Sequence, residues 1–169
     1  AVRAGRRIAG NRKGLEMRYS LITAVAAVGL IAVSAQAQNV SLSPTYGTVS
    51  LSSGFSPDPY VVSLDAGGSI SASNIGCTGY IANAPDLRLN YRAGDSLPLI
   101  ISVASEADTT LVINTPNGGW ACNDDGGNGS NPSIRFNAPQ TGQYDIWVGT
   151  YSNGGIRPAD LHISEIYSQ

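Results

Sequence analysis

The residues best equipped for chemistry sit in one stretch, Trp120 to Pro132, which reads WACNDDGGNGSNP. Asp124 and Asp125 are adjacent there, among Asn123, Asn128, Asn131 and three glycines. Neighbouring carboxylates repel unless a cation or solvent screens them. Asp and Asn also supply the hard oxygen donors that calcium takes in sets of six to eight, at roughly 2.3 to 2.6 Å. Asp108, in the preceding turn SEADT, is the natural third carboxylate, so Asp108, Asp124 and Asp125 form the candidate calcium set and calcium the candidate cofactor. The alternative is structural: Asp, Asn and Gly tolerate left-handed backbone and form Asx turns, which makes the stretch a shaped turn first and a metal site second.

A second candidate for chemistry is Ser96, within Gly94-Asp95-Ser96-Leu97. The four letters GDSL resemble the nucleophile block of a family of secreted esterases, in which the serine stands where a strand turns into a helix and a D-x-x-H element supplies the base. Here Pro98 and a strand follow at once, and the single histidine, His162, has Asp160 two residues before it rather than three. A serine peptidase needs Ser, His and Asp brought together beside an oxyanion hole. His162 alternates with Leu161 and Ile163, as a residue on the outer side of a strand does, and GDSLP lacks the glycines of a peptidase serine. No catalytic triad is assigned; a small hydrolase using Ser96 is the rival reading.

The elements that must position these residues are written in period two. LRLNY, LIISV, TLVIN, SIRFN, YDIWV and LHISEIY alternate apolar and polar residues, the mark of strands with one buried face. Between them lie clusters rich in Gly, Pro, Asn and Asp, and no stretch from residue 38 onward carries an amphipathic helical face with caps. GTVSLSSGF and YVVSLDAGGSISAS add two or three strands, making eight or nine. The expectation is an all-β antiparallel sandwich of jelly-roll type. In YDIWVGTY, Tyr144, Ile146 and Val148 share the face assigned to the core, with Gly142 opening a tight approach into a central strand. Trp147 and Tyr151 share the other face, either as an outward aromatic platform for a sugar ring or peptide or as a second layer of packing.

The compartment follows from the first residues. From Met17, MRYSLITAVAAVGLIAVSAQAQ has a basic residue, a 13-residue apolar run from Leu21 to Val33, and Ala35-Gln36-Ala37, the pattern of a secretory signal peptide cleaved after Ala37. A spanning helix needs about 20 apolar residues, so no membrane span is expected after cleavage. Residues 1–16 read as an upstream or n-region extension, residues 17–37 as the signal peptide, and residues 38–169 as one domain. That domain has four arginines and no lysine against eleven Asp and Glu, a charge of −7 that argues against a nucleic-acid partner. Cys77 and Cys122 are its two cysteines, and in an exported protein such a pair is expected to be a disulfide.

Taken together, SEADTTLVINTPNG, ACNDD, NPSIRF and TGQYDIWVGTY resemble the bacterial pre-peptidase C-terminal domain, over about Tyr91 to Ile163. The elements that carry the resemblance are Asp108 to Leu111, Asp124 with Asp125, and Gly142 to Val148. The resemblance implies a jelly-roll β-sandwich, exported, usually appended to secreted peptidases, with calcium sites in some members. This chain is expected to depart from that pattern, since residues 38–169 read as one domain without a peptidase beside it. The W-x-C-x-D-D turn and Cys77 are similar to features of small stand-alone exported proteins of that kind. The expected function is a non-catalytic exported module, periplasmic or secreted, with a binding or stabilising role toward a polysaccharide or protein ligand; a carbohydrate-binding module is a further alternative.

Overall fold

Residues 38–169 are described by the computed structural model; the expected signal peptide at 17–37 and the extension at 1–16 lie outside them. Eleven strands form among the described residues: β1 Thr48–Ser52, β2 Tyr60–Ala66, β3 Ile70–Ser71, β4 Tyr80–Ile81, β5 Leu87–Arg92, β6 Leu99–Ala104, β7 Thr109–Asn114, β8 Trp120–Asn123, β9 Ser133–Phe136, β10 Gly142–Thr150 and β11 Arg157–Ser164. One 3-10 turn, Ala72–Ile75, separates β3 from β4. The count exceeds the expected eight or nine because β4 and β8 carry too little alternation to be seen in the sequence. The first four residues of WACNDDGGNGSNP are thus strand rather than turn, drawn into the sheet by pairing Val112 with Cys122 and Asn114 with Trp120.

The strands make two sheets. One holds seven strands: β1, β5, β10, β7 and β8 side by side, with β4 joining β10 at Thr150, beyond the end of β5, and β3 pairing β4. The other holds β2, β11, β6 and β9 in that order. Every pairing is antiparallel except that of β1 with β5. The β-sandwich expected from period two is therefore what forms. Its core receives Leu87, Leu89 and Tyr91 from β5, Tyr144, Ile146 and Val148 from β10, and Leu161 and Ile163 from β11, all essentially inaccessible to solvent. At roughly 1.5 to 3 kcal/mol per large apolar side chain, this layer is the main favourable term in folding.

The outer face of the large sheet is also covered. Trp147, Val112, Ala72, Cys77 and Ile81 form a second buried cluster, with Trp120 5.5 Å from Trp147 ring to ring. The cover is the segment carrying β3, the 3-10 turn and β4. It approaches so closely that a side chain at Gly149 would place its Cβ 2.5 Å from the Tyr80 carbonyl oxygen. The Cys77–Cys122 disulfide, with Cα atoms 5.8 Å apart, ties this cover to β8 as expected from the export reading. Further along the same face, Arg88 Nε sits 2.6 Å from Asp145 Oδ1, and Arg88 Nη2 donates to the carbonyls of Val40 and Leu42. Gly142, with φ of +148°, packs so that a Cβ would lie 2.7 Å from Pro116, the tight approach anticipated at the start of β10.

One buried carboxyl fills a gap in the ladder. Where β10 loses β5 as its neighbour, Asp86 Oδ2 accepts the Val148 N–H at 2.7 Å, while its own N–H donates to Ile146. Burial pushes the Asp86 carboxyl up to about 7, and the Val148 N–H offsets only part of that rise.

Candidate functional site

Strand pairing sends four turns to one end of the sandwich. Thr109 lies opposite Thr150 and Leu111 opposite Asn123, while Ala66 lies opposite Arg157 and Ala104 opposite Asp160. The turns at 67–69, 105–108, 124–132 and 151–156 consequently emerge together. Backbone hydrogen bonds from Thr109 N–H to Ser130 and from Tyr151 N–H to Asp108 tie three of them, and Gly67 N–H donates to Val148 of β10.

Within WACNDDGGNGSNP the asparagines are structural. Asn123 Oδ1 accepts the N–H groups of Gly126 at 2.6 Å and Ser133 at 3.0 Å, closing the loop on itself. Asn131 Oδ1 accepts the Thr109 hydroxyl at 2.7 Å while its Nδ2 donates to the Ser105 carbonyl at 2.8 Å, which clamps the loop to the 105–108 turn. The local side-chain-to-backbone bonding expected of Asp and Asn in this loop is found at Asn123, through Gly126, whereas Asn131 works between turns. The three aspartates behave differently. No ion pair of Asp108, Asp124 or Asp125 occurs among the described residues. Slight desolvation, followed by the charges of Asp125 and then Asp124, holds the Asp108 carboxyl above its ordinary range. The two turns therefore bring the three carboxylates within electrostatic reach of one another. Among the described residues, however, no three His, Cys, Asp or Glu side chains converge tightly enough to form a metal-binding group as they stand. A 230 Å³ hollow beside the disulfide is lined by Cys77, Thr78, Cys122, Asn123 and Asp124 among others.

The aromatic platform does not form. Trp147 is fully buried beneath the β3–β4 cover, because the disulfide and the tight contact at Gly149 hold that segment against the sheet. Tyr151 alone of the pair is exposed, at 49 %, on the β10–β11 turn with Ile156 at 55 %. Beside that turn lie two adjoining hollows of 420 and 370 Å³, which share Ser105, Glu106 and Pro158. Neither hollow was legible in the sequence, since SEADT read there only as a turn.

The hydrolase residues stay apart in hydrogen-bonding terms. Ser96 lies on an exposed bend before β6. His162 is half-buried on the outer face of β11, opposite Val61 and Ser102, and its Nδ1 has no partner among the described residues. Burial lowers the His162 pKa, with Asp160 opposing. Asp160 Oδ1 instead accepts the Ser63 hydroxyl at 2.6 Å, and Ser102 Oγ accepts the Gln169 N–H. The histidine thus has neither an orienting carboxylate hydrogen bond nor one to a serine.

No family model matches the chain, and no curated protein matches it. Several solved structures are similar to it, two of which follow. The pre-peptidase C-terminal domain of collagenase from Bacillus anthracis is 18 % identical, with a TM-score of 0.42, over 69 % of this chain and 94 % of that one. The Aeromonas hydrophila protein PliG, a periplasmic lysozyme inhibitor of g-type lysozyme, is 14 % identical, with a TM-score of 0.36, over 69 % of this chain and 96 % of that one. Among the described residues no helix is long and apolar enough to cross a membrane.

Proposed function

We propose that this protein is an exported, non-catalytic β-sandwich module whose loop end binds a protein or polysaccharide ligand and is steadied by calcium. The observation that supports the reading is that Asn131 clamps the 124–132 loop to the 105–108 turn, with Asp125 and Asp124 acting on the Asp108 carboxyl through their charge and none of the three in an ion pair among the described residues. Such an arrangement costs electrostatic energy in the empty state, and a divalent cation relieves it. Carboxylates from two turns, with backbone carbonyls and water completing the shell, would supply the oxygens. Calorimetric titration of the purified protein with calcium chloride tests this. One saturable site is expected, and its absence in an Asp124→Asn, Asp125→Asn double variant.

The non-catalytic part of the reading draws support from His162, which among the described residues makes no hydrogen bond to a carboxylate or to a serine, the facing Ser102 being engaged by the Gln169 N–H. A small esterase using Ser96 is the rival. The chain and its Ser96→Ala variant are expected to show the same background turnover of p-nitrophenyl acetate. A loss of 100-fold or more in the variant, the scale of a true nucleophile, would establish the hydrolase.

A further inference from the structure

We infer that the trough between the β6–β7 turn and the start of β11 is a docking site for an arginine- or lysine-bearing segment of a basic protein. The inference rests on the reading of the domain as a binding module and names the chemistry of its partner.

The trough is the pair of adjoining hollows that share Ser105, Glu106 and Pro158. Its walls include the small apolar side chains of Ala104 and Ala107 and the exposed ring of Pro158, and the Ser105 hydroxyl fixes the rim by donating to the Pro158 carbonyl at 2.8 Å. Volumes of 420 and 370 Å³ accommodate a few side chains in extended conformation. Two carboxylates stand on the trough. Glu106 is exposed and makes no ion pair among the described residues, and Asp160 offers Oδ1 to Ser63, leaving Oδ2 available. Asp65 lies opposite Pro158 in the β2–β11 register and extends the negative edge. Arg157, the one cation lining the trough among the described residues, is turned back to the Ile156 carbonyl.

An apolar floor edged by carboxylates suits a long cationic side chain, whose methylenes lie on the Pro and Ala surface while its head meets Glu106 or Asp160. Charge complementarity extends beyond the trough: the described residues carry four arginines, no lysine and eleven Asp and Glu, a field that speeds the approach of a basic partner and opposes an acidic one. The adjacent exposed Tyr151 and Ile156 add the apolar contact that protein interfaces favour over simple ion exchange.

The test is a titration, in excess chelator so that the Asp124 loop stays free of metal, with a capped hexapeptide of alternating arginine and leucine and with its glutamate and leucine counterpart. Saturable binding of the basic peptide alone is expected. Glu106→Gln with Asp160→Asn should weaken it about tenfold or more, and Arg157→Gln should tighten it, with thermal midpoints unchanged. Loss of binding at higher sodium chloride is expected as well. The inference is overturned by no saturable binding at millimolar peptide, by equal binding of the acidic peptide, or by indifference of the Glu106 and Asp160 variant. None of these outcomes alters the calcium titration or the ester assay, so the trough can fail while the module stands.

Discussion

Replacing Cys77 and Cys122 together by alanine is expected to lower folded stability by about 4 kcal/mol, the chain-entropy value for a loop of this length, here a sequence separation of 45. Alanine avoids placing a hydroxyl at Cys77, which is buried. The loss has a location as well as a size. The disulfide holds the β3–β4 segment over Trp147, so the variant should show tryptophan emission shifted to the red as water reaches the second cluster. Urea unfolding followed by fluorescence reads both quantities. An unchanged midpoint with unchanged emission would mean that the contacts of Ile81 and Ala72 hold the cover without the bond.

The second large effect concerns Asp86 and pH. Its folded pKa of about 7 stands above the 3.8 of an ordinary aspartate. The folded state therefore holds a proton that the unfolded state has released between those values. The contribution of this group to stability is complete below about pH 4, falls as pH rises, and is fully lost above about pH 7. Asp86→Asn keeps an oxygen for the Val148 N–H and removes the charge. Relative to the native chain, the variant is expected to be more stable by roughly 4 kcal/mol at pH 8, from about three pKa units at 1.36 kcal/mol each, and the advantage should close near pH 4. Unfolding by urea at pH 4, 6 and 8 measures the difference, in which the other titrating groups cancel. A constant difference across that range would show that Asp86 is charged in the folded protein.

Much of the sandwich was legible because alternation is a direct image of a two-faced strand. Tyr144, Ile146 and Val148 could be placed in the core from YDIWV alone, and the disulfide from compartment and pairing number. What stayed hidden depended on a second layer. Trp147 lies on the outer face as its parity demands, yet it is buried because β3 and β4, two residues each, fold over it, and strands that short carry no period. Trp120–Asn123 was masked in the same way by Cys and Asn, residues that more often announce a loop. The acidic turns could be named from the sequence as two separate Asp-bearing loops, whereas the role of Asn131 as the clamp between those turns required the fold. The trough was not legible, since its walls are Ala, Ser and Pro from three separate elements and its carboxylates look like ordinary turn acids.

The measurement that bears most directly on the whole account is the thermal midpoint of the protein in millimolar calcium against the midpoint in excess chelator. Binding at 100 times the dissociation constant adds about 2.7 kcal/mol to the folded state. For a domain of this size that corresponds to an upward shift of roughly 10 °C. The predicted result is that shift in the native chain and none in the Asp124→Asn, Asp125→Asn variant. The variant without calcium should also melt above the native chain without calcium, because the repulsion at Asp108 is gone. Identical midpoints for the native chain with calcium and with chelator would contradict the account and leave WACNDDGGNGSNP as a turn held by Asn123, Asn131 and the disulfide.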